Sequence, residues 1–162
     1  MFIAADTSFL IAFSAIQRMD LLRAAVGEVW IPPAVYEELV TDGEGWMNAR
    51  QAQSEVHGGE WLRRWTVPFA CLPSSSAKLG KGELEAVSLA FHNQGVCLVD
   101  ERRGRAFAKS VGVRVVGSLG VLARCKKSGL IPAVTPLVRA MEESGIYRDP
   151  ELVVQFLADL NE

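Results

Sequence analysis

Four acidic residues stand where an α/β chain can gather them. Asp6 ends the apolar run Phe2-Ile3-Ala4-Ala5, Asp100 follows Val96-Cys97-Leu98-Val99, and Glu38 and Glu83 fall inside helical patterns. In open parallel sheets the ligand crevice lies outside the carboxyl ends of the strands, where residues following Ala5 and Val99 would meet. Like charges about 5 Å apart repel by roughly 3 kcal/mol at an effective dielectric near 20, so a bare cluster takes up protons or a cation. Only oxygen donors are on offer, and neither His57 nor His92 stands at a ligand spacing. Hard ions, Mg²⁺ or Mn²⁺, are therefore expected rather than zinc. Such an ion lowers the pKa of a water for attack on a phosphodiester and neutralises charge on the phosphorus oxygens, with no serine or cysteine nucleophile required. Ser8, two residues after Asp6, is placed to hydrogen-bond a carboxylate or a bound water, with helix capping as its other role. Taken singly the acids have plainer uses: Glu83 on its helix dipole, Glu38 at the surface, Asp100 as a cap.

Apolar runs of strand length recur at 2–5, 28–31, 65–70, 96–99 and 113–116, with helical patterns filling most gaps. This βαβ alternation predicts a three-layer α/β fold around a parallel sheet. The first helix is expected to begin at Thr7 or Ser8, either able to cap it, and the second to run from Asp20 to Gly27. Pro32-Pro33 suits a helix start and places Val35, Glu38 and Leu39 on one short helix. The polar stretch at about 42–58 reads as an inserted helical segment or lid, flanked by glycines. A second loop runs from Pro73-Ser74-Ser75-Ser76 to Gly80-Lys81-Gly82 and feeds a helix from Glu83 to about Asn93, with Glu83 in its first turn. Residues 1–131 would form the main domain. Residues 132–162 would extend it with two amphipathic helices suited to covering the sheet, dimerising or docking a partner.

With 162 residues, 49% hydrophobic and 22% charged, the chain has the balance of one ordinary globular domain rather than a disordered one. Cys71, Cys97 and Cys125 are an odd count without C-x-x-C spacing, which suggests neither a disulfide framework nor a zinc site and fits a reducing cytoplasm. The chain shows no signal peptide and no membrane span, so a cytoplasmic address is expected. The net charge of −2 does not advertise nucleic-acid binding, which must rest on a local patch.

Four stretches taken together resemble a known family: Asp6-Thr7-Ser8, Ile31-Pro32-Pro33-Ala34-Val35-Tyr36-Glu37-Glu38-Leu39, Leu79-Gly80-Lys81-Gly82-Glu83-Leu84-Glu85-Ala86-Val87, and Leu98-Val99-Asp100-Glu101-Arg102-Arg103. Their order and spacing over roughly residues 3 to 131 are similar to those of the PIN-domain ribonucleases, especially the VapC-like proteins described as predicted nucleic-acid-binding. The resemblance implies a central parallel sheet of order 3-2-1-4-5 and metal-dependent cleavage of RNA. It also implies catalytic roles for Asp6, Glu38, Glu83 and Asp100, with Asp6, Asp100 and Glu83 on the metal. Toxin members of the family are often dimeric and paired with an antitoxin.

Two choices stay open on periodicity. Glu37 and Glu38 lie at equal angles from the buried arc, the match to Glu-Leu favouring Glu38, and Glu83 competes with Glu85. The sequence also departs from the family pattern. Glu101 follows Asp100 and could replace or assist it, and a further downstream acid is missing from Gly117-Ser118-Leu119-Gly120, where Ser118 could hold a water. Arg102, Arg103, Arg105 and Lys109 near Asp100, with Lys78 and Lys81 before Glu83, form a candidate basic rim for phosphates. A solvated helix face is the plain alternative. Trp46, Trp61 and Trp65 could stack on bases but more often such residues pack. A PIN-fold protein that binds nucleic acid or a partner without cutting is the competing function. A response-regulator module and a haloacid-dehalogenase-like phosphatase fit poorly, because Asp6 has no acidic neighbour and Ser8 stands at its i+2 position.

Overall fold

In the computed structural model, which describes residues 1–73 and 78–162, strands β1 (Ile3–Ala5), β2 (Val29–Ile31), β3 (Leu62–Arg64), β4 (Val96–Leu98) and β5 (Arg114–Val116) form one parallel sheet. Its order is β3-β2-β1-β4-β5. The chain builds outward from β1 through β2 to β3, then returns to lay β4 on the other side of β1, which makes the β1/β4 boundary the topological switch point. The register there sets Ala4 opposite Cys97 and Ala5 opposite Leu98.

Strand parity divides the core. Ile3, Ala5, Val96 and Leu98 face one layer, formed chiefly by α1 (Thr7–Ala15), α2 (Met19–Val26) and α7 (Ser118–Lys127). Ala4, Cys97 and Val99 face the other, formed by α5 (Lys81–His92) and α6 (Arg102–Ser110). Strands buried on both faces carry apolar residues at every position, as β1 and β4 do. In α1, Phe9, Leu10 and Phe13 are fully buried, each contributing about 1.5–3 kcal/mol by leaving water. The inserted segment forms a short 3₁₀ turn, Met47–Ala49, and α4 (Arg50–Gly58), which packs on α1. In the C-terminal extension, α8 (Thr135–Glu143) adds Val138 and Met141 to the core, while α9 (Pro150–Asp159) buries Val153 and leaves Leu152 and Val154 exposed.

Two expectations need correction. The third strand is 62–64, not 65–70: Pro68 has no N–H for a ladder, Val67 is exposed, and only Trp65 N–H continues the pairing, donating to the Ile31 carbonyl. As an edge strand β3 tolerates Arg63 and Arg64, whose guanidinium groups lie over the rings of Trp30 and Tyr36 at 4.8 and 4.1 Å. Neither Thr7 nor Ser8 caps α1. Asp6 does, accepting the Phe9 N–H at 2.9 Å. Ser74, Ser75 and Ser76 of the predicted loop lie outside the described residues.

The insertion is tied to the domain through Ser14, whose buried hydroxyl accepts the Ala52 N–H at 3.0 Å. That donor is one of those a helix's first turn leaves unpaired. Ser14→Ala is expected to lower unfolding free energy by about 1–3 kcal/mol in urea titration, and an unchanged midpoint would show that the tie carries no weight.

Candidate functional site

Asp6 leaves β1 at the switch point, its N–H donating to the Leu98 carbonyl of β4 at 3.1 Å. Its side chain is 1% exposed. One oxygen caps α1, and the other, Oδ2, is buried with no hydrogen-bond partner among the described residues. Burial pushes its carboxyl up to about 8; the Phe9 N–H opposes the rise, and the charges of Asp100, Glu83 and Glu101 add to it. These neighbouring charges disfavour the ionised form of Asp6.

Glu83 sits in the first turn of α5 and reaches back to the Gly80 N–H through Oε2 at 3.0 Å. Its Oε1 is buried and unpartnered among the described residues. Burial raises its carboxyl above the ordinary range; Gly80 opposes this, Glu101 and Glu38 add to it, and Arg103 opposes it. Gly104 of α6 lets this oxygen lie deep, since a Cβ there would fall 2.7 Å from Oε1 and 2.9 Å from a Val99 methyl. Glu85 acts elsewhere, accepting the Ala34 N–H at 2.7 Å and so holding the first turn of α3 (Pro33–Tyr36).

After α3 the chain widens into a π-helical turn, Glu37–Thr41, which buries Leu39 completely. Such wide turns often re-aim side chains at functional sites. Glu37 is exposed and lies 3.9 Å from the Lys81 ammonium. Glu38 turns inward, accepting the Thr7 hydroxyl through Oε2 and the Gly82 N–H through Oε1 at 3.0 Å. A Cβ on Gly82 would come within 2.8 Å of Oε1, so this approach requires glycine.

Asp100 is half-buried beyond β4, not the cap of α6, where Glu101 stands exposed. Its Oδ1 accepts the Ser118 N–H at 2.7 Å and the Ser118 hydroxyl at 3.0 Å. Its Oδ2 lies 3.3 Å from Nη2 of Arg148, which also donates to the Ser118 hydroxyl. Ser118, expected to hold a water, hydrogen-bonds Asp100 through both its N–H and its hydroxyl.

The predicted rim is unevenly realised. Arg102, Arg103 and Lys81 are exposed, while Arg105 turns in and donates to the Val99 carbonyl at 3.1 Å. Lys109 lines a groove beside β5 with Arg114 and Arg124, away from the acids. Ser8 is exposed and bonds none of the four acids. Trp61 is buried with its N–H on Glu55, Trp65 packs edge-on against Phe2 and Trp30, and Trp46 is exposed. Sequence reading missed Thr7 and Arg148. Thr7 lay inside the Asp6-Thr7-Ser8 motif, whereas a lone arginine 48 residues beyond Asp100 carried no signal.

The donor set suits a hard dication. Among the described residues no group of three acids, histidines or cysteines encloses a metal position by itself. Two deep carboxylate oxygens, Asp6 Oδ2 and Glu83 Oε1, nevertheless lack partners. Mg²⁺-type ions are commonly held by one or two carboxylates with waters completing the shell.

No curated protein is detectably similar to the chain. Among solved structures, a PilT N-terminus domain protein from the hyperthermophilic archaeon Sulfolobus solfataricus P2 is similar at 15% identity with a TM-score of 0.51, covering 92% of this chain and 98% of that one. At this identity the likeness speaks for the fold. A family model, DUF3368, described as a PIN domain, matches residues 2–162. Sheet order, switch-point acids and this match agree, and the chain belongs to the PIN-domain family.

Proposed function

We propose that this protein is a divalent-metal-dependent endoribonuclease whose site is built on Asp6, Glu38, Glu83 and Asp100. The observation that carries this reading is the pair of buried carboxylate oxygens, without partners among the described residues, near the switch point of a fold that generally serves nucleases. Asp6 and Glu83 would hold Mg²⁺ or Mn²⁺, with Asp100 at its edge. A bound cation lowers the pKa of a water and offsets charge on the phosphorus oxygens. Glu38 keeps α1 and α5 in register through Thr7 and Gly82, fixing the two oxygens relative to each other. Ser118 orients Asp100. Glu101 supplies further negative charge at the mouth, and Arg102, Arg103 and Lys81 offer exposed cations to the RNA backbone.

A toxin role with an antitoxin partner, in a homodimer, is the biological setting we propose on family grounds. No helix among the described residues is long and apolar enough to cross a membrane, and a cytoplasmic site of action is proposed with it. The competing reading, a PIN domain that binds RNA or a partner without cutting, draws on Asp100 being already held by Ser118 and Arg148.

Purified protein is expected to cleave RNA with Mg²⁺ or Mn²⁺ and to stop with EDTA. Asp6→Asn, which keeps the cap, is expected to lower cleavage by about 10²-fold or more. Metal binding without cleavage of any structured or single-stranded RNA would favour the non-catalytic reading, and no metal binding would refute the site. Calorimetry should separate the paired glutamates. Glu83→Gln weakens Mn²⁺ binding, whereas Glu85→Ala keeps it and lowers stability by about 1–2 kcal/mol through the freed Ala34 N–H; the reverse pattern would exchange their roles.

The Asp6 carboxyl, at about 8 folded and 3.8 in its ordinary state, makes the metal-free folded protein bind the extra proton between those values. Its contribution to stability is full below the unfolded value and is lost as pH rises through the folded one. Metal-free wild type is thus expected to lose stability relative to Asp6→Asn from about pH 4 to 8, and parallel pH profiles of the melting temperature would contradict this.

A further inference from the structure

Arg148 lies on the short stretch between α8 and α9, 10% exposed and far along the chain from the residues it touches. Two sides fix it: Gly145, at φ +86°, turns the chain out of α8, and Asp149 caps α9 through the Glu151 N–H. Its Nη2 spans Asp100 Oδ2 and the Ser118 hydroxyl, which set the plane of the guanidinium. Its Nη1 is buried and has no acceptor among the described residues.

A cation that served only to neutralise Asp100 would present the two-pronged face that matches a carboxylate. Arg148 instead reaches Asp100 through Nη2 alone, at 3.3 Å, shares that nitrogen with the Ser118 hydroxyl, and leaves Nη1 without an acceptor among the described residues. An unpaired buried donor is costly enough that a partner is expected at some stage of the working cycle. The surroundings say which sign that partner has. Asp6, Glu83, Asp100 and Glu101 gather acidic groups at the site, and Arg105 places one of its donors on the Val99 carbonyl. An anionic group entering here needs a fixed cation from the protein, and Arg148 is a guanidinium already oriented beside these acids.

We propose that Arg148 is a phosphate-binding residue of this site, offering Nη1 to a non-bridging oxygen of an RNA phosphodiester while Nη2 remains on Asp100 and Ser118. This deepens the nuclease reading and rests on it for the identity of the ligand, though not for the binding of phosphate. Nη1 is covered, so the phosphate displaces what lies over it while Nη2 keeps its partners. The Ser118 hydroxyl accepts from this Nη2 while donating to Asp100.

The test compares wild type with Arg148→Met and Arg148→Lys. Binding of a fluorescent single-stranded RNA is followed in Ca²⁺ across salt concentrations, Mn²⁺ binding by calorimetry, and the Arg148 guanidinium ¹⁵N resonances of wild type during titration with inorganic phosphate. In Arg148→Met, RNA affinity is expected to fall about ten-fold and the slope of log affinity against log salt by about 0.7, with Mn²⁺ affinity undiminished. Arg148→Lys should recover part of the affinity, and phosphate should move the wild-type resonance. A folded Arg148→Met protein that binds RNA with wild-type affinity and slope overturns the proposal, as does one that binds Mn²⁺ ten-fold tighter with RNA binding unchanged, which would make Arg148 a plug. RNA cleavage with no Arg148 effect sinks this inference and leaves the nuclease standing. Arg148-dependent binding of phosphate and RNA by a protein that never cuts does the reverse, and wild type that binds neither refutes both.

Discussion

The Asp6 carboxylate is placed under two demands that a single side chain cannot meet from within the protein. It must cap α1 with one oxygen to start the helix at the end of β1, and it must keep the other oxygen buried at the junction of β1 and β4 without a donor. Burying an ionised carboxylate half-satisfied is unfavourable, so the metal-free fold holds its proton far above the usual carboxylate range. The rest of the site is arranged around that unpaired oxygen. Glu83 brings a second such oxygen, and the charges of Asp100, Glu83 and Glu101 oppose the ionisation of Asp6 further.

Holding these acids close requires backbone to come unusually near carboxylates. Gly82 and Gly104 supply the room, one under Glu38 and one under Glu83. Glu38 converts proximity into rigidity, because its two oxygens join the first turn of α1 to the first turn of α5. The π-helical turn at 37–41 is the local device that aims Glu38 inward while Leu39 stays in the core. Asp100 follows a different logic: Ser118 and Arg148 satisfy it from the second half of the chain, so the site is completed by the C-terminal extension as well as by the sheet.

The sequence carried the sheet order and the positions of the acids at its edge, and the reasons are physical. β1 and β4 are buried on both faces and so read as unbroken apolar runs, and an acid directly after such a run has few other places to go. The third strand was misplaced because an edge strand is free to be polar, whereas the apolar 65–70 run packs Trp65 and Phe69 without pairing beyond Trp65. Helical angles could not choose between Glu37 and Glu38, which lie equally far from the buried arc; the structure has a π-helical turn there, with Glu38 facing inward. Glu85 and Glu83 share a helix, and tertiary partners tell them apart: Glu85 takes the Ala34 N–H, whereas Glu83 keeps a buried oxygen without a partner among the described residues. Arg148 was invisible for a plainer reason: its partners are tertiary, and no local pattern marks a lone arginine before a helix cap.

Whether the two idle oxygens are a cation site is most directly decided by anomalous diffraction from crystals of the wild-type protein equilibrated with Mn²⁺. A peak at the carboxylates of Asp6 and Glu83 is the expected result. A peak elsewhere, or none at concentrations that saturate binding in solution, would contradict a cation at the end of β1 and leave the burial of Asp6 to be explained by its retained proton alone.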